Sequence, residues 1–159
     1  MGKAKMYIIF GFSFLCLFSF AGEASQSIYK VRSTVGAVFC GDKVIRPGDV
    51  IHKSCYLTTH AGSNVYLERE NQLVSIGENA KVQFNGANNF KMTSGIARAK
   101  AKKKIVINTN LSSVKVKNAE ALVRTNDIFE ETEVISLSGI VILSSLSSVE
   151  ESAQITSSH

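Results

Sequence analysis

The sequence predicts an all-β fold of short stacked strands in a solenoid-like or sandwich-like arrangement. Three features carry this reading. Apolar and polar residues alternate with period two, turn-forming Gly, Asn, Asp and Ser break the alternation about every 8 to 10 residues, and no helical heptad is sustained. Successive side chains of a strand point to opposite faces, so a sheet with one wet face requires this alternation.

Residues 1–6 (MGKAKM) are basic through Lys3 and Lys5 and lead into YIIFGFSFLCLFSF, an uncharged run shorter than the roughly 20 residues that cross a bilayer core. That layout is an export signal, and the small residues of Ser19-Phe20-Ala21 and Gly22-Glu23-Ala24 place its cleavage near Gly22 or Ser25. Retention as an anchor is the alternative, because the uncharged stretch extends from Met6 to Gly22. The chain therefore divides into a cleavable export signal over 1–24, a β domain over 25–143 and a Ser-rich flexible tail over 144–159.

Within the domain, Ile28-Tyr29-Lys30-Val31-Arg32 alternates and Gly36-Ala37-Val38-Phe39-Cys40 is a short apolar strand. Val50-Ile51 follows a turn at Pro47-Gly48-Asp49, and Cys55-Tyr56-Leu57-Thr58-Thr59 ends in a turn at His60-Ala61-Gly62-Ser63. Cys40 and Cys55 both remain after removal of the leader, and an oxidising compartment permits a bridge between them. A loop of this size would stabilise the fold by roughly 3 kcal/mol once closed. His52 and His60 flank Cys55, but their spacing matches no compact zinc knuckle and no metal is expected. The absence of C-x-x-C excludes thioredoxin-like redox chemistry and haem attachment.

Asn64-Val65-Tyr66-Leu67-Glu68 sets Val65 and Leu67 on one face and Tyr66 on the other. Leu73-Val74-Ser75-Ile76 stops at Gly77-Glu78-Asn79, Lys81-Val82-Gln83-Phe84 at Asn85-Gly86, and Phe90-Lys91-Met92 at Ser94-Gly95. Asn85-Gly86 is the sharpest expected turn, since both residues accept positive φ. Ile96-Ala97-Arg98-Ala99-Lys100-Ala101-Lys102 then alternates strictly between apolar and basic residues. As a strand it lines Arg98, Lys100 and Lys102 along one face, with Lys103 and Lys104 at the following bend, and the β-branched Ile105-Val106-Ile107 favours strand over helix. These five cations form a candidate surface for an anionic partner. A solvated edge strand guarded by lysines is the competing reading. No aromatic residue lies between Ile96 and Val106 to stack on bases.

Ile105-Val106-Ile107-Asn108-Thr109-Asn110 breaks at Leu111-Ser112 before Ser113-Val114-Lys115-Val116-Lys117 alternates again. Asn118-Ala119-Glu120 reads as a turn into Ala121-Leu122-Val123-Arg124, and Thr125-Asn126-Asp127 as a polar bend. The last ordered pair is Thr132-Glu133-Val134-Ile135-Ser136-Leu137 and Ile140-Val141-Ile142-Leu143, separated by Ser138-Gly139. From Ser144 the pattern fades into SSLSSVEESAQITSSH, a tail whose Leu146, Val149 and Ile155 are the anchors if it serves as a docking peptide.

The order of these pieces carries a resemblance. Gly36-Ala37-Val38, Pro47-Gly48-Asp49-Val50-Ile51, Ala61-Gly62-Ser63-Asn64-Val65-Tyr66-Leu67 and Leu73-Val74-Ser75-Ile76-Gly77-Glu78-Asn79-Ala80-Lys81-Val82 come first. Ser94-Gly95-Ile96-Ala97-Arg98-Ala99-Lys100, Ile107-Asn108-Thr109, Val114-Lys115-Val116-Lys117-Asn118-Ala119-Glu120 and Thr132-Glu133-Val134-Ile135-Ser136-Leu137-Ser138-Gly139-Ile140-Val141 complete it. Together they resemble a FecR-like domain, the exported β domain of iron-dicitrate-type sensors and of many stand-alone bacterial envelope proteins. Asn118 and Ala119 stand where the family usually has Gly and Thr. The resemblance implies a non-catalytic domain of stacked short strands in the periplasm or another exported part of the cell envelope.

No catalytic constellation emerges. Asp42 and Asp49 around the Pro47 turn, and Glu68 and Glu70 around Arg69, give no sign of the geometry a glycosidase needs. Ser63 lacks a G-x-S-x-G elbow, and the acidic bend of Asp127, Glu130, Glu131 and Glu133 lacks a calcium-loop signature. No catalytic residue, cofactor or metal ligand is assigned. The formal net charge of +5 is small for 159 residues, and export makes nucleic acid an unsuitable partner whatever its sign. The expected role is a binding or scaffold module for another envelope protein or an anionic cell-wall glycan, with no stable membrane span in the mature chain. A small exported hydrolase or carbohydrate-active enzyme is the alternative, and oligomeric state is left open.

Overall fold

The computed structural model describes residues 27–146 and 152–157, so the leader lies outside the described residues. The fold is all-β, with fifteen strands among the described residues. They are β1 (Ser27–Val35), β2 (Val38–Cys40), β3 (Lys43–Val44), β4 (Val50–His52), β5 (Tyr56–Thr59), β6 (Asn64–Arg69), β7 (Gln72–Ile76) and β8 (Lys81–Gly86). There follow β9 (Asn89–Ala101), β10 (Ile105–Asn108), β11 (Ser112–Val116), β12 (Ala119–Asn126), β13 (Glu131–Ser138), β14 (Ile140–Ser145) and β15 (Ser152–Thr156). Among the described residues no helix is long and apolar enough to cross a membrane.

Two sheets share β9. One runs β4-β1-β6-β7-β9-β12-β13. The other runs β3-β2-β5-β8-β9-β10-β11-β14-β15. Among the described residues only β9 with β10 is parallel, and the other pairings are antiparallel. The first half of β9, to Ser94, pairs with β8, and the second, from Gly95, pairs with β12. The inward residues of both sheets form one core. Val65, Leu67, Val74, Ile76, Ala97 and Ala99 come from the first, and Leu57, Val82, Phe84, Phe90, Ile105 and Val116 from the second. Tyr29 ties the sheets together, its ring centroid 5.8 Å from that of Phe84. Full burial of each large apolar side chain contributes roughly 1.5–3 kcal/mol, so this sandwich-like closure is what the period-two pattern stabilises.

Several expected boundaries move. The turn at Ser94-Gly95 is a bend inside one continuous strand: Gly95 takes φ +98°, and a Cβ there would lie 2.5 Å from the Cα of Ala80. Asn85-Gly86 is likewise not the hairpin turn, because β8 continues through Gly86 over a bulge and the chain reverses at Ala87 and Asn88. Side chains from other strands fix that later turn. The Tyr29 hydroxyl lies 3.1 Å from the Ala87 carbonyl oxygen, and Gln72 Nε2 donates to Asn88 Oδ1 at 2.8 Å. Lys117 and Asn118 make the bend before β12, Asn118 with φ 48°, and Ala119 and Glu120 already pair with Ala101 and Lys100.

The Ser-rich tail also departs from expectation. Ser144 and Ser145 belong to β14, and β15 pairs antiparallel with it, Ile155 opposite Val141 and Ala153 opposite Leu143. Small and β-branched residues suffice here because the unfilled edge of β14 supplies the backbone partners. Leu146 donates its backbone N–H to the Leu111 carbonyl at 2.7 Å. Of the three docking anchors considered, Val149 lies outside the described residues.

Cys40 and Cys55 are joined by a disulfide, with Cα atoms 5.5 Å apart. Cys40 ends β2 and pairs with Leu57 of β5, and Cys55 directly precedes β5, so antiparallel pairing brings the two thiols together.

Candidate binding surface

Alternation along β9 turns Ala97, Ala99 and Ala101 into the core and Arg98 and Lys100 to solvent. The basic ladder is therefore a strand face, but not an edge. β7 and β12 cover both sides of it, with Ser75 and Leu122 beside Arg98, and Leu73 and Glu120 beside Lys100. This corrects the edge-strand reading: the backbone of β9 has no free side in this half, so its cations do not serve to block sheet extension.

One carboxylate organises the face. Arg98 Nε donates to Glu120 Oε1 at 2.6 Å, Arg98 Nη2 lies 2.5 Å from the same oxygen, and Lys100 Nζ lies 3.5 Å from Oε2. The Glu120 side chain is 12% exposed, against 58% for Arg98 and 64% for Lys100. A sunken anion thus sits under two outward cations, and the trio carries one net positive charge. Lys103 is also partnered, donating to Glu70 Oε2 at 2.9 Å. That hydrogen bond, reinforced by the ammonium charge, holds the Glu70 carboxyl below its ordinary range. Lys102 and Lys104 lie past the end of β9 and make no ion pair among the described residues. The five predicted cations therefore occupy one end of one sheet, and Glu120 and Glu70 offset two of their five charges within the chain.

Apolar residues complete the face. Tyr66 pairs with Ser75, and Leu73 pairs with Glu68, bringing both exposed side chains beside the charged trio. A shallow cavity of about 250 Å³ opens there, lined by Arg32, Tyr66, Leu73, Arg98, Lys100 and Glu120. A second, of about 580 Å³, adjoins it through Leu73 and Lys100 and reaches Ala101, Lys102 and Ala119. A third, of about 480 Å³, continues from Arg98 and Ser75 to Gly62, Glu78 and Leu122. The result is a trough over β6, β7, β9 and β12 that offers apolar contact beside hydrogen-bonding charge.

Several other residues weighed for chemistry lie elsewhere and have local partners. The Cys55 sulfur is bonded to Cys40, and His60 packs edge-on against Phe39 with ring centroids 5.4 Å apart. Asp49 accepts from the Arg46 backbone N–H at 3.0 Å, and buried Ser63 accepts from that of Ala37 at 2.9 Å. Asp127 meets Lys81 at 3.6 Å. Among the described residues no group of three His, Cys, Asp or Glu side chains is placed to hold a metal ion.

Sequence reasoning missed Tyr66, Leu73 and Glu120 as members of the surface. For Glu120 a signal existed: Glu120, Leu122 and Arg124 alternate with Ala119, Ala121 and Val123, which marks a strand beginning before the expected turn ends. No protein-family model, curated protein or solved structure matches the chain.

Proposed function

We propose that the protein is an exported, non-catalytic module of the bacterial cell envelope, FecR-like in its strand order, that binds another envelope protein or a cell-wall glycan across the trough. The observation that carries this reading is the exposure of Tyr66 and Leu73 on a sheet face beside Arg98, Lys100 and Glu120. An apolar patch bordered by charge is the usual composition of a contact surface. The basic and apolar leader and the disulfide support an oxidising destination. Glu120 and Glu70 offset only two of the five charges of the ladder, so the apolar residues supply the contact and the positive charge that remains favours an anionic partner.

The test is retention of envelope proteins and wall glycan by the tagged full chain from detergent-solubilised envelopes. Paired Tyr66→Ala and Leu73→Ala substitutions are expected to reduce retention at least about tenfold, the loss typical of removing a contact centre. Lys91→Ala, on the other sheet, is expected to leave it unchanged. Failure of the parent chain to retain any protein or glycan, or equal retention by the paired variant, overturns the reading.

A further inference from the structure

The β12–β13 hairpin has two unlike ends. At its turn, Ile128 is 80% exposed and Phe129 71%, the highest values among the large apolar side chains described. The turn is built rather than loose: Asn126 Oδ1 accepts from the Ile128 backbone N–H at 2.9 Å, and Lys81 holds Asp127 at 3.6 Å. Glu130 and Glu131 follow directly, so the projecting apolar pair has an acidic rim. At the opposite end, where β12 starts and β13 finishes, lies the hollow of about 580 Å³. Leu73, Ala101 and Ala119 line it, Lys100 and Lys102 add positive charge, and its one acid, Glu70, is paired with Lys103.

We propose that a second copy of this chain fills the hollow. Ile128 and Phe129 of one copy seat against Leu73 and the methylene stems of Lys100 and Lys102 of the next, over a floor of buried Ala101 and Ala119, and Glu130 and Glu131 face the two ammonium groups. Polarity and charge are complementary: an apolar projection with an acidic rim meets an apolar depression with a basic one. The eight residues of β12 separate the two ends by roughly 26 Å, so no copy reaches its own hollow. Two different surfaces at opposite ends of one hairpin give a head-to-tail contact, which builds a ring or an open array and not a two-fold dimer. The inference is independent of the proposed envelope role, although Leu73 and Lys100 line both surfaces.

Sedimentation velocity of the full chain tests it, over a wide concentration range at low and high salt. The parent protein is expected to assemble with concentration, and less so at high salt as the charged rim is screened. Phe129→Asp and Lys102→Glu each alter an exposed side chain and are each expected to weaken association at least about tenfold. Ile128→Asp replaces the first variant should that one fold poorly. The decisive sample is the mixture. The Lys102→Glu chain keeps an intact tip and the Phe129→Asp chain an intact hollow, so together they are expected to form one-to-one pairs and stop there. All samples carry the same leader, so assembly driven by the leader survives both substitutions and overturns the proposal. A parent chain that stays monomeric throughout, or a mixture that stays monomeric, overturns it as well.

Discussion

Tyr29 shows how burial sets the chemistry of a single side chain. Its hydroxyl lies 3.1 Å from both Gln72 Oε1 and the Ala87 carbonyl oxygen, inside the core where the two sheets meet. Burial pushes the phenol up to about 12, and the charge of Arg69 offsets only part of that rise. The unfolded chain releases this proton near pH 10 and the folded chain holds it longer, so the folded state binds more protons in between. Stability from this group is therefore complete below about pH 10 and is lost as pH climbs toward about 12, by roughly 2–3 kcal/mol in all. Tyr29→Phe is expected to be less stable near neutral pH by about 1–2 kcal/mol, through the lost hydrogen bond, yet to show a shallower alkaline decline. Urea unfolding across that alkaline range checks it, and an unchanged slope would show that another group controls the decline. Glu120 presents the opposite arrangement, a sunken charge kept in place by two cations at its surface. Sequence revealed the cations of that cluster through their strict alternation with alanine. It hid the anion, because the pairing of Glu120 with Lys100 depends on a strand register set by the whole sheet.

At the scale of elements, β9 holds the two sheets in one molecule. Apart from β3 and β15, strand existence was legible, since period-two alternation survives in nearly every segment, but strand continuity was not. Glycine reads locally as a stop, and Gly95 instead lets the chain pass from one sheet into the other while Ala80 packs against its bare Cα. Asn85-Gly86 misled in the same way, because hydrogen bonds from Tyr29 and Gln72 fix the turn two residues later. The tail misled through composition: serine-rich sequence signals disorder only where no unfilled strand edge is in reach, and β14 provides one. Gly95 gives the sharpest test of this account. Alanine there must adopt φ +98° and place its Cβ 2.5 Å from the Cα of Ala80, which cannot move without disturbing the turn after β7. Gly95→Ala is expected to cost more than about 3 kcal/mol. Gly77→Ala is the matched control, since its Cβ would meet Ile96 at an ordinary 3.5 Å and its cost is expected to stay below about 1 kcal/mol. Thermal unfolding compares the two, and similar losses would mean that β9 does not depend on its bend.

For the molecule as a whole, stability rests on pairings between residues distant in the chain, such as β1 with β6 and β7 with β9. Sequence could announce the β class but not this layout, because alternation says which residues point inward and not which strands become neighbours. The trough is a product of that layout: Tyr66, Leu73, Arg98 and Glu120 come from four strands and meet only when the sheet is assembled. Chains held together by distant contacts gain most from restrictions on their unfolded state, and the disulfide supplies one around β3 and β4. It closes a separation of 15 residues, for which chain entropy predicts a stabilisation of about 3 kcal/mol. Replacing both Cys40 and Cys55 with alanine removes the crosslink without leaving a polar group beside buried Leu57. The paired variant is expected to lose about 3 kcal/mol and to melt roughly 10 °C lower. Its urea dependence should steepen slightly, since an uncrosslinked unfolded chain exposes more surface. The trough lies on the other sheet, so ligand retention by the folded variant should match that of the parent. A loss below about 1 kcal/mol would show that the β2–β5 pairing is secured by its backbone hydrogen bonds and core packing alone.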